Sequence, residues 1–254
     1  MIRKARNGVQ WLEFELLADV PRLVHGVFLR HGGVSSGAYG SLNAGGSGDD
    51  DLRAIQENRR RMQAILGLNK LASLHEVHGA DVLFTREPPA RGARYDGMIT
   101  DHLGLGLLIK HADCQAAIFY DPVNHVVGNV HSGWRGNVQN IYRNMVMKME
   151  QECGSKPENL LVCIAPSLGP ERSEFIHYQK ELPEAFWTFQ IKATYFDLWS
   201  IARMQLEEAG VLPAHIEIAS LCTYEGQEDF FSYRRDKVTG RNATIVGLVD
   251  LFRN

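Results

Sequence analysis

The chain reads as an α+β fold in one domain spanning residues 1–254, and three observations carry that expectation. Short apolar runs with strand character recur along the chain. Amphipathic helical stripes are confined to a few places between them. The two do not alternate as a strict βαβ series would require, so helices packed outside clustered strands are expected. With 254 residues, 22% charged and 44% hydrophobic, the chain can bury a substantial core without staples.

Taken in order, 11–16 reads as an edge strand, and 23–29 as a strand leading into Arg30-His31-Gly32-Gly33, where a cation stands beside backbone free to approach a ligand. Gly, Ser, Ala and Asn dominate 36–48, a loop long enough to be a lid or binding segment. Asp49-Asp50-Asp51 opens a helix whose apolar positions Leu52, Ile55, Met62, Ile65 and Leu66 keep helical spacing until Gly67. The Arg59-Arg60-Arg61 run reads as its solvated face. A strand-like piece at 74–82 carries His75, Glu76 and His78, followed by a Pro-rich turn and Tyr95-Asp96-Gly97. Strands are expected at 106–109, 160–164, 216–220 and 244–248. Helical stripes run through Val138, Ile141, Tyr142, Met145, Val146 and Met149, stopping before Gly154, and through 198–209, stopping at Gly210.

The stretch from His111 to Gly136 holds the chemistry. Two apolar runs, 115–120 and 126–130, flank Asp121-Pro122-Val123-Asn124, with Pro at the second position of a type I turn. A loop centred between Pro122 and Val123 sets Asp121 opposite Asn124 and Cys114 opposite His131, with Cβ atoms about 5 Å apart. Either residue alone is commonly structural, since Cys fills cores and an interior His satisfies a hydrogen bond. As a facing pair, flanked by Asp113 and by Gly133-Trp134-Arg135-Gly136, they read as a nucleophile with its base or as two ligands of one metal. His78 is a third candidate ligand. His75 and His78 lack the four-residue spacing of a helical zinc-protease motif.

Other classes are disfavoured. A formal charge of -3 gives no reason to expect a nucleic-acid partner. The first twenty residues lack a continuous apolar h-region and no apolar span is long enough for a bilayer, which points to the cytoplasm and no membrane partner. Cys114, Cys153, Cys163 and Cys222 show no CxxC or framework spacing, so disulfides are not expected. Neither a GxGxxG nor a GxxxxGK[ST] pattern occurs. Arg234, Arg235 and Arg241 cluster around a Gly turn and read equally as a phosphate grip or as surface charge.

FLRHGGVS, SLN, ENRRRM, EVHGADV, HADC, NVHSGWRG, LCT and FFSYRRDKVTGR together resemble, in order and spacing, the YfiH-like family, once described as laccase-domain or polyphenol-oxidase proteins. The resemblance covers nearly the whole chain and is most specific at VHG, ADC and H-x-GWRG. It implies an α-β-β-α layered sandwich with mixed sheets and outer helices. It also implies a catalytic zinc held by His78, Cys114 and His131. The implied activity is phosphorolysis of inosine-, adenosine- and guanosine-type nucleosides and methylthioadenosine, with deamination of adenosine. Three departures are mild: Glu76 stands where the family usually has Gln, His111 where it has Thr, and Ser132 where it has Ala. A larger one is the segment 165–175, which lacks the family's Cys and bears on substrate range.

Three protein ligands leave a fourth position for water or substrate, and a zinc so held brings water toward ionisation near neutral pH, the chemistry that replaces a purine's exocyclic amine. Phosphorolysis needs phosphate placed beside the ribose, a task assigned to Arg30, Asn43, Arg59 and Arg234. His111 or Asp113 are candidate proton carriers. The rivals are a metal-free Cys114–His131 hydrolase or deamidase, a structural zinc, and a copper polyphenol oxidase. The last is disfavoured because the ten His include no His-x-His pair.

Overall fold

Two six-stranded sheets stack face to face in the computed structural model, which describes residues 1–45 and 49–250. The first runs β1 (Ile2–Arg6), β2 (Val9–Glu13), β3 (Leu23–Phe28), β14 (Asn242–Leu248), β7 (Leu105–His111), β4 (Lys70–Ser73). The second runs β13 (Ile216–Ile218), β10 (Leu161–Ile164), β8 (Gln115–Asp121), β9 (Val126–Ser132), β6 (Gly97–Thr100), β5 (Val82–Phe84). A separate hairpin pairs β11 (Gln190–Lys192) with β12 (Tyr195–Phe196). Both sheets are mixed: β4 with β7, β5 with β6 and β10 with β13 are parallel, and the other pairs antiparallel. The helices are α1 (Glu15–Ala18), α2 (Leu52–Ile65), α3 (Trp134–Val138), α4 (Ile141–Cys153), α5 (Tyr178–Glu181), α6 (Leu198–Glu208) and α7 (Tyr233–Asp236).

The central strands read as unbroken apolar runs because both faces are covered. Every residue of β8, β9 and β14 is buried. Between the sheets, Val27, Leu107, Ile109 and Val246 meet Ala116, Ile118, Tyr120 and Val127. Outside the first sheet, α2 lays Met62 against Leu108 and Ile245. Outside the second, Tyr142, Met145 and Met149 of α4 and Ala202 and Leu206 of α6 cover Phe119, Val130 and Val162. This is the α-β-β-α order that the resemblance implies. Each long helix starts on a polar cap: Asp51 accepts from Arg53 N, Asn140 from Arg143 N, and Asp197 from Trp199 and Ser200 N.

Several expectations need correction. The N-terminal strand is a hairpin of two, and β4 and β6 are additional. The segment 74–82 is not a strand: the ladder stops at Ser73 and resumes at Val82, because its amides turn toward a side chain, as described below. In the hairpin, Asp121 pairs with Val126, so the loop is residues 122–125 and His131 lies opposite Ala116, not Cys114. Asp121 accepts from the amides of Val123 and Asn124 and His125 takes a left-handed φ of 52°, which moves the loop centre one residue along. A two-residue shift of partner preserves face parity, so Cys114 and His131 remain on one side. Of the loop expected over 36–48, residues 46–48 lie outside the described residues. In the arginine run, Arg60 is on the solvated face at 68% exposure, while Arg59 turns inward onto Ala44 O. No helix among the described residues is long and apolar enough to cross a membrane, and all four cysteines are free.

Candidate functional site

Three chain segments converge where β7 gives way to β8. His131 comes from the end of β9, Cys114 from the residue before β8, and His78 from the irregular segment after β4. Asp113, in the left-handed region at φ 95°, turns the chain sharply into Cys114. One ligand atom from each of His78, Cys114 and His131 lies within 4.8 Å of the other two. His78 Nε2 is 3.9 Å from Cys114 Sγ, and the two imidazoles meet edge to face with centroids 5.0 Å apart.

A carboxylate that the motif reading passed over organises two of these residues. Asp96, fully buried, accepts from the amides of Val77, His78 and Gly79 at 3.2, 2.9 and 2.7 Å. Its Oδ1 is also 2.9 Å from His131 Nδ1, and its carbonyl accepts from His131 N at 2.6 Å. Three successive amides committed to one carboxylate cannot join a ladder, which is why 74–82 is not a strand, and His78 sits at a left-handed φ of 60° to permit it. With Nδ1 committed to Asp96, His131 presents Nε2 to Cys114 and His78, the outer-shell arrangement of metal-bound histidines. Burial acts upward on the Asp96 carboxyl, but its hydrogen bonds from His131 and Gly79 bring it below the usual range. The readable signal was an acid in Tyr95-Asp96-Gly97 entering a buried strand.

Burial likewise drives the Cys114 thiol upward, yet the adjoining His131 and His78 imidazoles bring it down to about 6. Burial pulls His131 down, and the neighbouring Cys114 and Asp96 raise it to about 10. A thiolate and two oriented imidazoles are a donor set suited to zinc or another borderline-soft ion. Space for an ion is kept by Gly133, where a Cβ would come 2.7 Å from His78 Cδ2 and 3.3 Å from Cys114 Sγ. A tetrahedral zinc holds such donors about 3.3 to 3.7 Å apart, so the cluster needs to contract by about an ångström. The residues fit the metal.

Cys114 opens on a cavity of about 430 Å³, within the size range of small-molecule sites. Buried Gln115 and Ser132 lie at its floor, and Trp134 and Phe175, edge to face at 6.2 Å, form an aromatic wall. Leu168, Glu174, His177, Glu181, Tyr233 and Arg234 are among the other lining residues. Gln115 is held rigid by Leu198 O, Asn137 and Tyr142. The segment 165–175, in which the chain departs from the family motif, therefore supplies part of the lining.

The residues expected to bind substrate or phosphate do not all gather here. Arg234 does: its amide is fixed by Asp113 Oδ2 at 2.6 Å, one Nη contacts Glu174 O at 3.4 Å, and the residue lines the cavity. Arg30 does not line it. Its donors go to Gly40 O and Gln227 O while it lies 4.6 Å over the Phe231 ring. Asn43 is saturated by Gly45, Asp50 and Arg241. Arg59 lies behind Glu76, on the α2 side of the first sheet. Arg235 holds three backbone carbonyls. Neither candidate proton carrier is free for that work. His111 is buried between the sheets against Thr244 Oγ1, its ring held neutral by burial and by His131, at about 3. The Asp113 carboxylate braces Thr223 Oγ1 and Arg234 N.

Fold and site define a layered α/β protein with a His₂Cys centre beside an aromatic-walled cavity. The family model described as multi-copper polyphenol oxidoreductase laccase matches residues 24–249. The purine nucleoside phosphorylase YfiH of Escherichia coli K12 is 34% identical over 231 residues, covering 87% of this chain and 91% of the relative. The purine nucleoside phosphorylase YlmD of Geobacillus stearothermophilus is 32% identical over 248 residues, covering 88% and 89%. The crystal structure of YlmD from Geobacillus stearothermophilus superposes with a TM-score of 0.86 at 29% identity, over 97% of this chain and 98% of that one. The chain belongs to this laccase-like YfiH family, in which the curated relatives carry the name purine nucleoside phosphorylase.

Proposed function

We propose that the chain is a zinc-dependent purine nucleoside enzyme that cleaves inosine-, adenosine- and guanosine-type nucleosides with phosphate and deaminates adenosine. The observation that carries this reading is the His78–Cys114–His131 cluster, oriented by Asp96 and opening through Cys114 onto an aromatic-walled cavity. The relatives' names support the nucleoside. His78, Cys114 and His131 would hold the zinc, which when bound supplies a Lewis acid able to bring water toward ionisation near neutral pH. Asp96 keeps the His131 proton on Nδ1, so Nε2 remains a ligand. The Trp134 and Phe175 rings offer the purine an aromatic face. Arg234, with two guanidinium nitrogens uncommitted among the described residues, offers donors to ribose or phosphate oxygens, and Glu174 and Glu181 offer acceptors. Trp134, Phe175 and Leu168 exclude water from the reacting bond. The four unpaired cysteines support placement in the cytoplasm.

The test is metal analysis of protein purified without added metal, followed by turnover of inosine and adenosine with and without phosphate. Near-stoichiometric zinc and phosphate-dependent release of hypoxanthine are expected. No turnover of either nucleoside by the zinc-loaded protein overturns the reading.

The second reading, a metal-free thiol hydrolase, is favoured by one observation, the thiol brought down to about 6 beside His131. It leaves His78 without a role. A chelated enzyme that keeps full activity and is inactivated by one equivalent of thiol alkylator would establish it. The multicopper reading finds no support in the ligands, since among the described residues this is the one group of three or more metal-binding side chains close enough to share an ion.

A further inference from the structure

The face of the first sheet that is covered by α2 ends in a group of cations that the cavity does not use. Lys110 on β7 pairs with Ala243 of β14, and Arg241, two residues before Ala243, shares its strand parity, so both point to the α2 side. Arg59 reaches the same end from α2. Its Nε donates to Ala44 O at 2.8 Å, and Ala44 N donates to Arg241 O at 3.0 Å. The backbone at Gly45 lies so close to the Arg241 stem that a Cβ would meet its Cγ at 2.3 Å. Lys110, 13% exposed, is paired with Glu76, 10% exposed, at 2.6 Å.

Glu76 is the one carboxylate in ion-pair contact with any of these three cations among the described residues. Arg59 feels Glu76 from a distance without an ion-pair contact, and Arg241 makes no ion pair among the described residues. Asp50, linked to Arg241 through Asn43, already gives Oδ2 to Ser35 and Asn43. Residues 46–48 are Gly, Ser and Gly and bring no carboxylate. Two guanidinium groups and an ammonium therefore face one carboxylate, a net excess of two positive charges in a half-buried place. The donors are open as well: both Nη of Arg59, and Nε and Nη2 of Arg241, make no hydrogen bond among the described residues. Desolvated cations with open donors are completed by an anion. Two guanidinium forks and a charge deficit of two match a doubly charged phosphate. The cluster adjoins the metal centre in the chain, since Glu76 stands two residues before His78, and Lys110 stands on the strand that leads to Cys114.

We propose that Arg59, Lys110 and Arg241 form an oxyanion subsite for inorganic phosphate. The subsite is separate from the cavity that the proposed function gives to the nucleoside, since none of the three cations lines that cavity.

The experiment compares wild type with Arg59→Met and Arg241→Met, and with Arg86→Gln as a remote surface control. Thermal protection is measured against inorganic phosphate and against chloride at equal ionic strength. Lys110 is left intact because its removal would strand buried Glu76. Phosphate should raise the wild-type melting temperature and chloride should not. Each arginine variant should need about tenfold more phosphate for the same shift, with zinc content unchanged and the control identical to wild type. Protection that is equal in chloride, or undiminished in both variants, overturns the subsite. Variant-sensitive phosphate binding in a protein that cleaves no nucleoside keeps the subsite and rejects the function.

Discussion

Asp96 and Asp121 are both fully buried carboxylates, each accepting backbone amides from the residues of a turn, yet they do different work. Asp121 accepts from Val123 N, Asn124 N and Asn124 Nδ2 at 2.8, 3.2 and 2.8 Å and closes the β8–β9 hairpin. Asp96 accepts from three successive amides and also holds His131 Nδ1. In both, burial acts upward and the hydrogen bonds bring the carboxyl below its usual range. The difference is the imidazole. A nest of amides makes a turn, and one added histidine makes that turn the support of a candidate metal site. Fixing the hairpin at the Asp121 end decides where His131 falls, and fixing the Asp96 end decides which nitrogen it presents.

That contrast can be broken in graded steps. The largest effect comes from removing a ligand. Cys114→Ala and His78→Ala should each abolish most zinc binding and lower nucleoside turnover by more than the ~100-fold typical of losing an outer-shell partner, while circular dichroism stays native. If zinc remains near stoichiometric in either variant, that residue is no ligand. Asp96→Asn comes next. The amide keeps the volume but loses the charge that holds the His131 proton on Nδ1, so zinc affinity and turnover should fall about 10- to 100-fold. Competition with a chelator reads the affinity directly, and an unchanged constant would reduce Asp96 to the rank of Asp121.

Gly133→Ala is expected to be milder. Gly133 has an ordinary φ of -72°, so the backbone accepts alanine, and the atoms nearest the added methyl belong to His78 and Cys114. Zinc affinity should drop about tenfold with no change in melting temperature of the metal-free protein. A melting temperature that falls while affinity holds would show that the glycine serves the fold. The smallest effect on activity belongs to Asp121→Asn, which should cost about 1 to 3 kcal/mol of stability and leave turnover per folded molecule unchanged. Its pH dependence sharpens the point. Because the folded carboxyl titrates below its unfolded value near 4, its contribution is complete above about pH 4 and is lost as pH falls through the folded value. Denaturant titrations should show the wild-type advantage over Asp121→Asn shrinking below about pH 4, and a constant gap would refute the assignment.

Much of this was legible because it depends on local pattern. The buried runs of β7, β8 and β9, the Asp51-capped α2 and the Gly154-terminated α4 announce themselves in periodicity and punctuation. The three candidate ligands were legible as residue types in specific motifs. What was hidden depends on non-local partners. Lys70–Ser73 and Gly97–Thr100 are four-residue strands, too short for a period-2 signal, and they exist because β7 and β9 offer edges to pair with. The hairpin register turned on a side chain, since Asp121 captures two turn amides and stays in the strand. The residues around Arg30 looked like a ligand grip in sequence, but guanidinium groups serve carbonyls as readily as phosphates, and only the fold shows that Gly40 and Gln227 take its donors. Asp96 shows no motif because its partners lie up to 35 residues away.

The Asp96 cradle also bears on how this centre would acquire an ion. The His131 ring and the His78 backbone are held by one carboxylate, so loading would need the side chains to close in by about an ångström rather than a loop to fold around the metal. A His₂Cys set would favour copper over zinc whenever the two are equally available. The occupant of a purified sample would therefore record the medium and compartment that filled it as much as the reaction it serves.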